Sequence, residues 1–223
     1  RRRDEKAFVL ADDLQSHLVS TMQQKAAAGG AVLILPLFEK DGPKYYNSAV
    51  VIDADGKVAG VYRKVHVPDI PLWEEKFYFS PGNQGFPVFR TRHGSIGIQI
   101  SWDNLYPECS RILALKGADM IFAPTACAFK SQHLWQAMVT ANAIANGVFV
   151  MRVNRVGSEE DQDFYGMSFC VGPEGELAGG PTGTGDGVLL ADVDLSYLTE
   201  VRREWPIMKE RRPDLYDEIL KGI

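Results

Sequence analysis

Ile98-Gln-Ile-Ser-Trp-Asp-Asn-Leu-Tyr-Pro-Glu108 is the stretch on which the fold of this chain turns. The run Ile96 to Ile100 reads as a buried strand and stops abruptly at Ser101-Trp102-Asp103. A helix from about Tyr106 to Lys116 follows, closed by Gly117. A strand that ends on a small hydroxyl-bearing residue and turns straight into a helix presents that side chain at the carboxyl edge of a sheet. The next residue can then offer its backbone N–H to a developing oxyanion. On these residues alone, the plainer assignment for Ser101 is a helix-capping serine after a core strand.

Working outward, Phe86 to Phe89 pairs with Ser95 to Ile100 through a turn at His93-Gly94. Asn47 to Ile52 and Lys57 to Val65 flank Asp53-Ala-Asp-Gly56, a strong hairpin signal. Ala31 to Phe38 is apolar throughout and reads as a buried strand. Before it, Leu14, Leu18, Met22 and Ala26 recur four apart, between Asp12-Asp13 and Gly29-Gly30, as in an amphipathic helix with an acidic start and a glycine stop. Downstream, Met120 to Ala123 is a strand, His133 to Asn146 a helix and Val148 to Val153 another strand. This alternation predicts a layered α/β domain. Ser168 to Leu177, turned at Pro173-Glu-Gly175, and Val188 to Val193 add two more strands, and Asp194-Leu-Ser196 opens a helix toward Trp205.

Composition bounds the partners. With 223 residues, 45% of them hydrophobic and 24% charged, the chain has enough apolar material for one sizeable core. The net charge of -5 and dispersed basic residues argue against nucleic acid. No apolar run is long enough to span a bilayer, and residues 1–25 carry no signal-peptide core, so neither a membrane nor a targeting segment is expected. Cys109, Cys127 and Cys170 form neither a C-x-x-C pair nor a metal-ligand pattern, which points to a reducing cytoplasm. The chain opens on Arg1 rather than methionine, and it reads as an incomplete record of a longer chain.

Four further segments bear on Ser101. They are Gly60-Val-Tyr-Arg-Lys-Val-His-Val-Pro68, Trp73-Glu-Glu-Lys-Phe-Tyr-Phe-Ser-Pro-Gly82, Ala145-Asn-Gly-Val-Phe-Val-Met-Arg-Val-Asn-Arg-Val-Gly157 and Phe164-Tyr-Gly-Met-Ser-Phe169. In order and spacing, from near Val9 to Leu220, the chain resembles the nitrilase superfamily of carbon-nitrogen hydrolases, and within it the N-carbamoylputrescine amidase-like branch. The resemblance implies a four-layer α-β-β-α sandwich whose N-terminal portion is missing from this sequence. It divides the chain into a partial hydrolase domain over residues 1–206 and a C-terminal tail over 207–223 that docks on a neighbouring subunit. It also implies hydrolysis of an amide or N-carbamoyl amine with release of ammonia, through a glutamate, a lysine and a cysteine, with no metal or cofactor. A homodimer or larger homo-oligomer is expected. The tail's composition points the same way, because Trp205, Leu215, Tyr216 and Leu220 need partners.

Carried onto this sequence, Lys64 is the oxyanion-stabilising lysine and Glu75 the second glutamate beside it, while Glu74 reads as a surface residue. Ser101 occupies the nucleophile position and Trp102 lends its backbone N–H to the oxyanion. Tyr78, Trp102, Thr125, Ala126 and Phe129, with Trp135 at the margin, are expected to line an apolar substrate cleft. Glu108 belongs to the first turn of a helix, Asn154 and Arg155 buttress the site, and His66 and His133 match no ligand pattern. Cys109 reads as a small buried apolar residue, whereas Cys127 could line the pocket rim.

Two departures from the family pattern predict an inactive chain. A hydroxyl at position 101 is a far weaker nucleophile than a thiolate and needs a strong adjacent base. The family's general-base glutamate belongs to an early strand upstream of Arg1, and nothing in residues 1–31 replaces it; Glu5 lies in a charged leader. The alternative is a natural pseudoenzyme that keeps the scaffold as a binding or interaction module.

Overall fold

The Asp53-Ala-Asp-Gly56 turn joins two strands, as the sequence predicts. They belong to a computed structural model that describes residues 3–128, 131–159 and 162–222. Three antiparallel strands, β1 (Leu33–Asp41), β2 (Lys44–Ile52) and β3 (Val58–Arg63), form a small sheet in the order β1-β2-β3. Period-two alternation along β2 divides its residues between two layers. Val50 and Ile52 meet Val19 and Ala26 of helix α1 (His17–Gly29), and Ala49 and Val51 face the opposite way.

The cap of α1 differs from the sequence expectation. Ser16 is the N-cap, its Oγ accepting Val19 N–H, while Asp12 lies before the helix and bridges to β1 through Phe38 O and Lys40 N. Leu18 consequently points outward, and the buried stripe runs through Val19, Met22 and Ala26.

A two-stranded ribbon, β4 (Asp69–Ile70) and β5 (Trp73–Glu74), precedes the second sheet. That sheet contains β6 (Val88–Thr91), β7 (Gly94–Ile98), β8 (Met120–Thr125), β9 (Phe149–Asn154) and β12 (Phe169–Val171), in the order β12-β9-β8-β7-β6. β7, β8 and β9 run parallel, and the two edges are antiparallel. Helices α2 (Pro107–Leu115) and α3 (Gln132–Asn146) cover one face through Leu113, Val139 and Ala143 packed on Ile121, Val150 and Val171. On the other face Ile96, Ile98 and Ile100 meet Ala49, Val51 and Tyr62 of the small sheet. Each buried Ile or Val contributes about 1.5–3 kcal/mol, so this apolar seam holds the two sheets together. The layers are therefore α1, small sheet, large sheet, and α2 with α3: a four-layer α-β-β-α sandwich, as expected.

Gly97 shows how tightly the outer pair of layers packs. A Cβ there would lie 2.8 Å from a Leu113 methyl, so only glycine lets α2 settle on β7.

Two elements differ from the sequence expectation. A hairpin, β10 (Val156–Glu159) with β11 (Gln162–Tyr165), was not anticipated because Gly157, Ser158 and Glu159 give it no apolar alternation. Val188 to Val193 forms no strand, and Val188 and Leu190 are more than four-fifths exposed. The edge it would need is occupied: residues 176–178 fold back on β12 through Gly172 N to Glu176 O and Ala178 N to Cys170 O. Helix α4 (Tyr197–Glu204) follows as expected. Beyond it Trp205, Leu215 and Leu220 are exposed. Among the described residues no helix is long and apolar enough to cross a membrane.

Candidate active site

At the carboxyl end of β7 the chain turns sharply. Ser101 adopts φ +48°, a left-handed conformation that costs a non-glycine residue about 1–3 kcal/mol. The surrounding hydrogen bonds offset that cost. Asp103 is fully buried; it donates its N–H to Ile100 O, while its carboxylate accepts Ile100 N–H (3.1 Å), Tyr62 OH (2.7 Å) and His66 N–H (2.9 Å). Asn104 donates Nδ2 to Ser101 O (2.9 Å) and Gln99 O (3.2 Å), and its own carbonyl accepts from Asn142 Nδ2 (2.9 Å).

These contacts set aside the capping assignment. The residue that caps α2 is Tyr106, with a short 3-10 turn, Ser101–Leu105, between it and the strand. Ser101 is itself half-buried at the first position of that turn.

Lys64 lies just past β3, with its side chain wholly buried, and its Nζ pairs with Glu75 Oε2 at 2.7 Å. Asn47 Nδ2 approaches the same oxygen at 3.5 Å. The segment carrying Glu75 is pinned to the small sheet by Ser80 N to Tyr45 O and by Gly82 N to Lys64 O. Gly82 permits that approach, since a Cβ would come within 2.0 Å of Arg63 O. Glu39, deeper in the same sheet, accepts from Ser48 Oγ at 2.5 Å and is forked by Arg63 Nε and Nη2.

Cys127 ties these groups together. Burial pushes its thiol up to about 11, against hydrogen bonds from Arg152 and Ser101 and the charge of Lys64. Asn154 clamps the Cys127 backbone, accepting its N–H (2.9 Å) and donating to its carbonyl (3.2 Å) and to Gly166 O (3.0 Å). This is a buttressing arrangement of the kind the sequence suggested for Asn154. Arg155 pairs with Glu159 and lies over the Phe164 ring.

The expected cleft residues are more dispersed. Trp102 is half-buried, its indole Nε1 donating to Tyr106 OH. Thr125 ends β8 and Ala126 follows it, both half-buried, with Thr125 Oγ1 donating to Ala123 O. Tyr78 joins an aromatic cluster with Phe8, Phe38, Phe77 and Phe79, and its hydroxyl accepts Asp4 N–H. Phe129 lies outside the described residues. Trp135 is buried against Cys127 and Tyr165. Glu108 is exposed in the first turn of α2, His133 is exposed on α3, and Glu74 is half-buried with Arg3 at 3.8 Å.

His66 is less solitary than its sequence context suggests. It stacks on Tyr106 at 3.7 Å, and Nδ1 meets Asp103 Oδ1 at 2.9 Å. With Cys109, these groups bring three metal-ligating atoms within 4.8 Å of one another. Asp103 is already saturated with backbone, tyrosine and imidazole donors, and burial together with Asp103 pushes the Cys109 thiol well above its usual range. The donor set fits a structural brace for the Ser101 turn better than a metal centre. Sequence reasoning gave no role to Arg152, Asn104 or Glu39; only the hydroxyl, amide and carboxylate partners supplied by other elements reveal them.

The comparisons with known proteins agree with this architecture. The family model for carbon-nitrogen hydrolase matches residues 3–203. An Arabidopsis thaliana N-carbamoylputrescine amidase is 38% identical, aligned over 96% of this chain and 77% of its own length. A Francisella tularensis citrullinase is 37% identical over 99% of this chain and 82% of its own. The crystal structure of a carbon-nitrogen hydrolase from Helicobacter pylori G27 superposes with a TM-score of 0.94 at 38% identity, covering 99% of this chain and 81% of that one. The chain belongs to the carbon-nitrogen hydrolase family and has the nitrilase fold.

Proposed function

We propose that this chain is an amidase or N-carbamoyl amide hydrolase scaffold in which Ser101 stands at the nucleophile position and turnover is nearly abolished. The observations that carry the reading are Ser101 in a strained turn at a strand end and the buried Lys64–Glu75 pair, in a chain whose relatives are carbon-nitrogen hydrolases. Lys64 would neutralise the oxyanion of a tetrahedral intermediate, with Trp102 N–H as the second donor, and Glu75 holds the Lys64 ammonium in place through their 2.7 Å ion pair. A serine hydroxyl in that place is rarely ionised and has a shorter reach than sulfur, so attack on the carbonyl stalls. The amidase and citrullinase relatives support a small amide or carbamoyl substrate. Cytoplasmic residence and a homo-oligomer docked through residues 207–223 complete the proposal.

The test is Ser101→Cys in the full-length protein, with ammonia release measured on a panel of N-carbamoyl amines and short amides. Turnover should rise by at least about 100-fold over the serine form, the scale of one activated nucleophile or acid-base group. No turnover above background on the whole panel defeats the reading and favours a binding module. Truncation after Pro206 should lower the oligomer mass by light scattering; an unchanged mass counts against tail docking.

A further inference from the structure

Arg152 on β9 is 1% exposed, among the most buried large side chains in the protein. The other two deeply buried cations have carboxylate partners, Arg63 with Glu39 and Lys64 with Glu75. Arg152 has no carboxylate partner among the described residues. Its Nη2 donates to Tyr165 OH at 2.8 Å, its guanidinium lies over the rings of Trp135 (5.1 Å) and Tyr165 (5.3 Å), and its Nε is unpartnered. Aromatic faces soften the burial of a cation, but they leave its charge and a free N–H uncompensated.

The same side chain lines a cavity of about 40 Å³ with Trp135, Gln136, Tyr165, Phe169 and Leu177. Gln136 and Leu177 are exposed, so the cavity has a rim at the surface and a buried guanidinium inside. One water needs about 10–15 Å³ of such space, so the cavity admits a polar group of a few heavy atoms. A planar, fork-shaped donor between aromatic walls matches a planar carboxylate. Cys127 packs against two walls of this cavity, Trp135 and Tyr165.

We propose that Arg152 is the anchor of a carboxylate-binding subsite, entered between Gln136 and Leu177. The carboxylate comes either from a free small acid or from one end of an amido acid whose other end approaches Ser101. The site rests on Arg152 and its cavity, and it stands whether or not position 101 ever supports turnover.

Ligand-detected NMR on the full chain at constant ionic strength separates these cases, with acetate, neutral acetamide and succinamate as probes. Acetate should bind saturably and acetamide should not. Arg152→Met should abolish acetate binding. Gln136→Glu, a change at the exposed rim that leaves the core intact, should weaken it about fivefold, the scale of one partly screened charge. Succinamate binding about tenfold tighter than acetate, and weakened by Ser101→Ala, assigns the carboxylate to a ligand spanning both sites. Equal affinities, unaffected by Ser101→Ala, assign it to a free small acid. Absence of saturable binding of either carboxylate to the folded chain overturns the proposal. So does binding unchanged by Gln136→Glu, a result that holds even where Arg152→Met fails to fold.

Discussion

Replacing Glu75 by Gln should expose how much of this fold depends on a single buried ion pair. Lys64 Nζ sits 2.7 Å from Glu75 Oε2, with the lysine side chain 0% and the glutamate side chain 19% exposed. Removing one partner of a buried pair costs about 3–5 kcal/mol, because the remaining charge stays desolvated and unpaired. Water reaches part of Glu75 and screens it, so the lower end applies, about 3 kcal/mol. Asn47 Nδ2, at 3.5 Å from the same oxygen, is itself a donor and cannot take over the carboxylate's role. With a urea slope of about 2–3 kcal/mol/M, the unfolding midpoint should fall by about 1 M. Lys64→Met alone should cost less, since it leaves a carboxylate that can turn toward water. The double variant should be no less stable than Glu75→Gln, which corresponds to a coupling of about 2 kcal/mol. Urea melts of the four proteins measure the cycle directly. A midpoint shift under about 0.3 M for Glu75→Gln, or losses that add within about 0.5 kcal/mol, would refute the buried-pair reasoning.

Three further outcomes follow from the packing and the thiols. Gly97→Ala should cost about 1–3 kcal/mol by forcing a Cβ against Leu113, and Leu113→Ala in the same chain should relieve the clash; additive losses in denaturant melts would show that the clash is not the cause. Asn154→Ala removes three buried hydrogen bonds around Cys127 and Gly166 and should cost about 2–4 kcal/mol, visible as a lowered thermal midpoint. Burial pushes the thiols of Cys127 and Cys170 up to about 11, above the roughly 8.5 of an unfolded chain. The folded state therefore holds these protons more tightly. Their contribution to stability is intact below about pH 8.5 and is lost as pH rises toward 11, so denaturant midpoints should fall across that window. Iodoacetamide should label native Cys127 only slowly at pH 8, where about one thiol in a thousand is ionised, and rapid labelling would contradict the burial.

The parts of the fold that were legible are those whose signals are local. An Asp-Gly turn between apolar strands specifies β2 and β3 without reference to the rest of the chain. An apolar run that ends at Ser101 specifies the turn. Val188 to Val193 carries comparable apolar residues, but a strand also needs an open edge, and residues 176–178 already occupy the edge of β12. Arg152 was hidden for a related reason. Val148 to Val153 reads only as a strand, and the approach of Trp135, Tyr165 and Phe169 from other elements is what reveals Arg152 as an enclosed charge. Glu39 and Arg63 are 24 residues apart and meet only because β1, β2 and β3 pair in one register.

Position 101 shows most plainly what three-dimensional context adds. A serine acting as a helix cap adopts an extended backbone and gives its oxygen to an N–H two or three residues on. Ser101 does neither: it takes the left-handed turn, while Asp103 and Asn104 supply the hydrogen bonds that hold the turn. The strain is paid regardless of whether the side chain ends in oxygen or sulfur, since it resides in the backbone. A turn needed only to reverse the chain would be relaxed by glycine, without strain. Here a side chain is held instead at the sheet edge. On the proposed reading, the backbone and the hydrogen-bond web present position 101 for a reactive group, and the hydroxyl departs from that role. This is why Ser101→Cys, a change of one atom, is the substitution expected to move activity most.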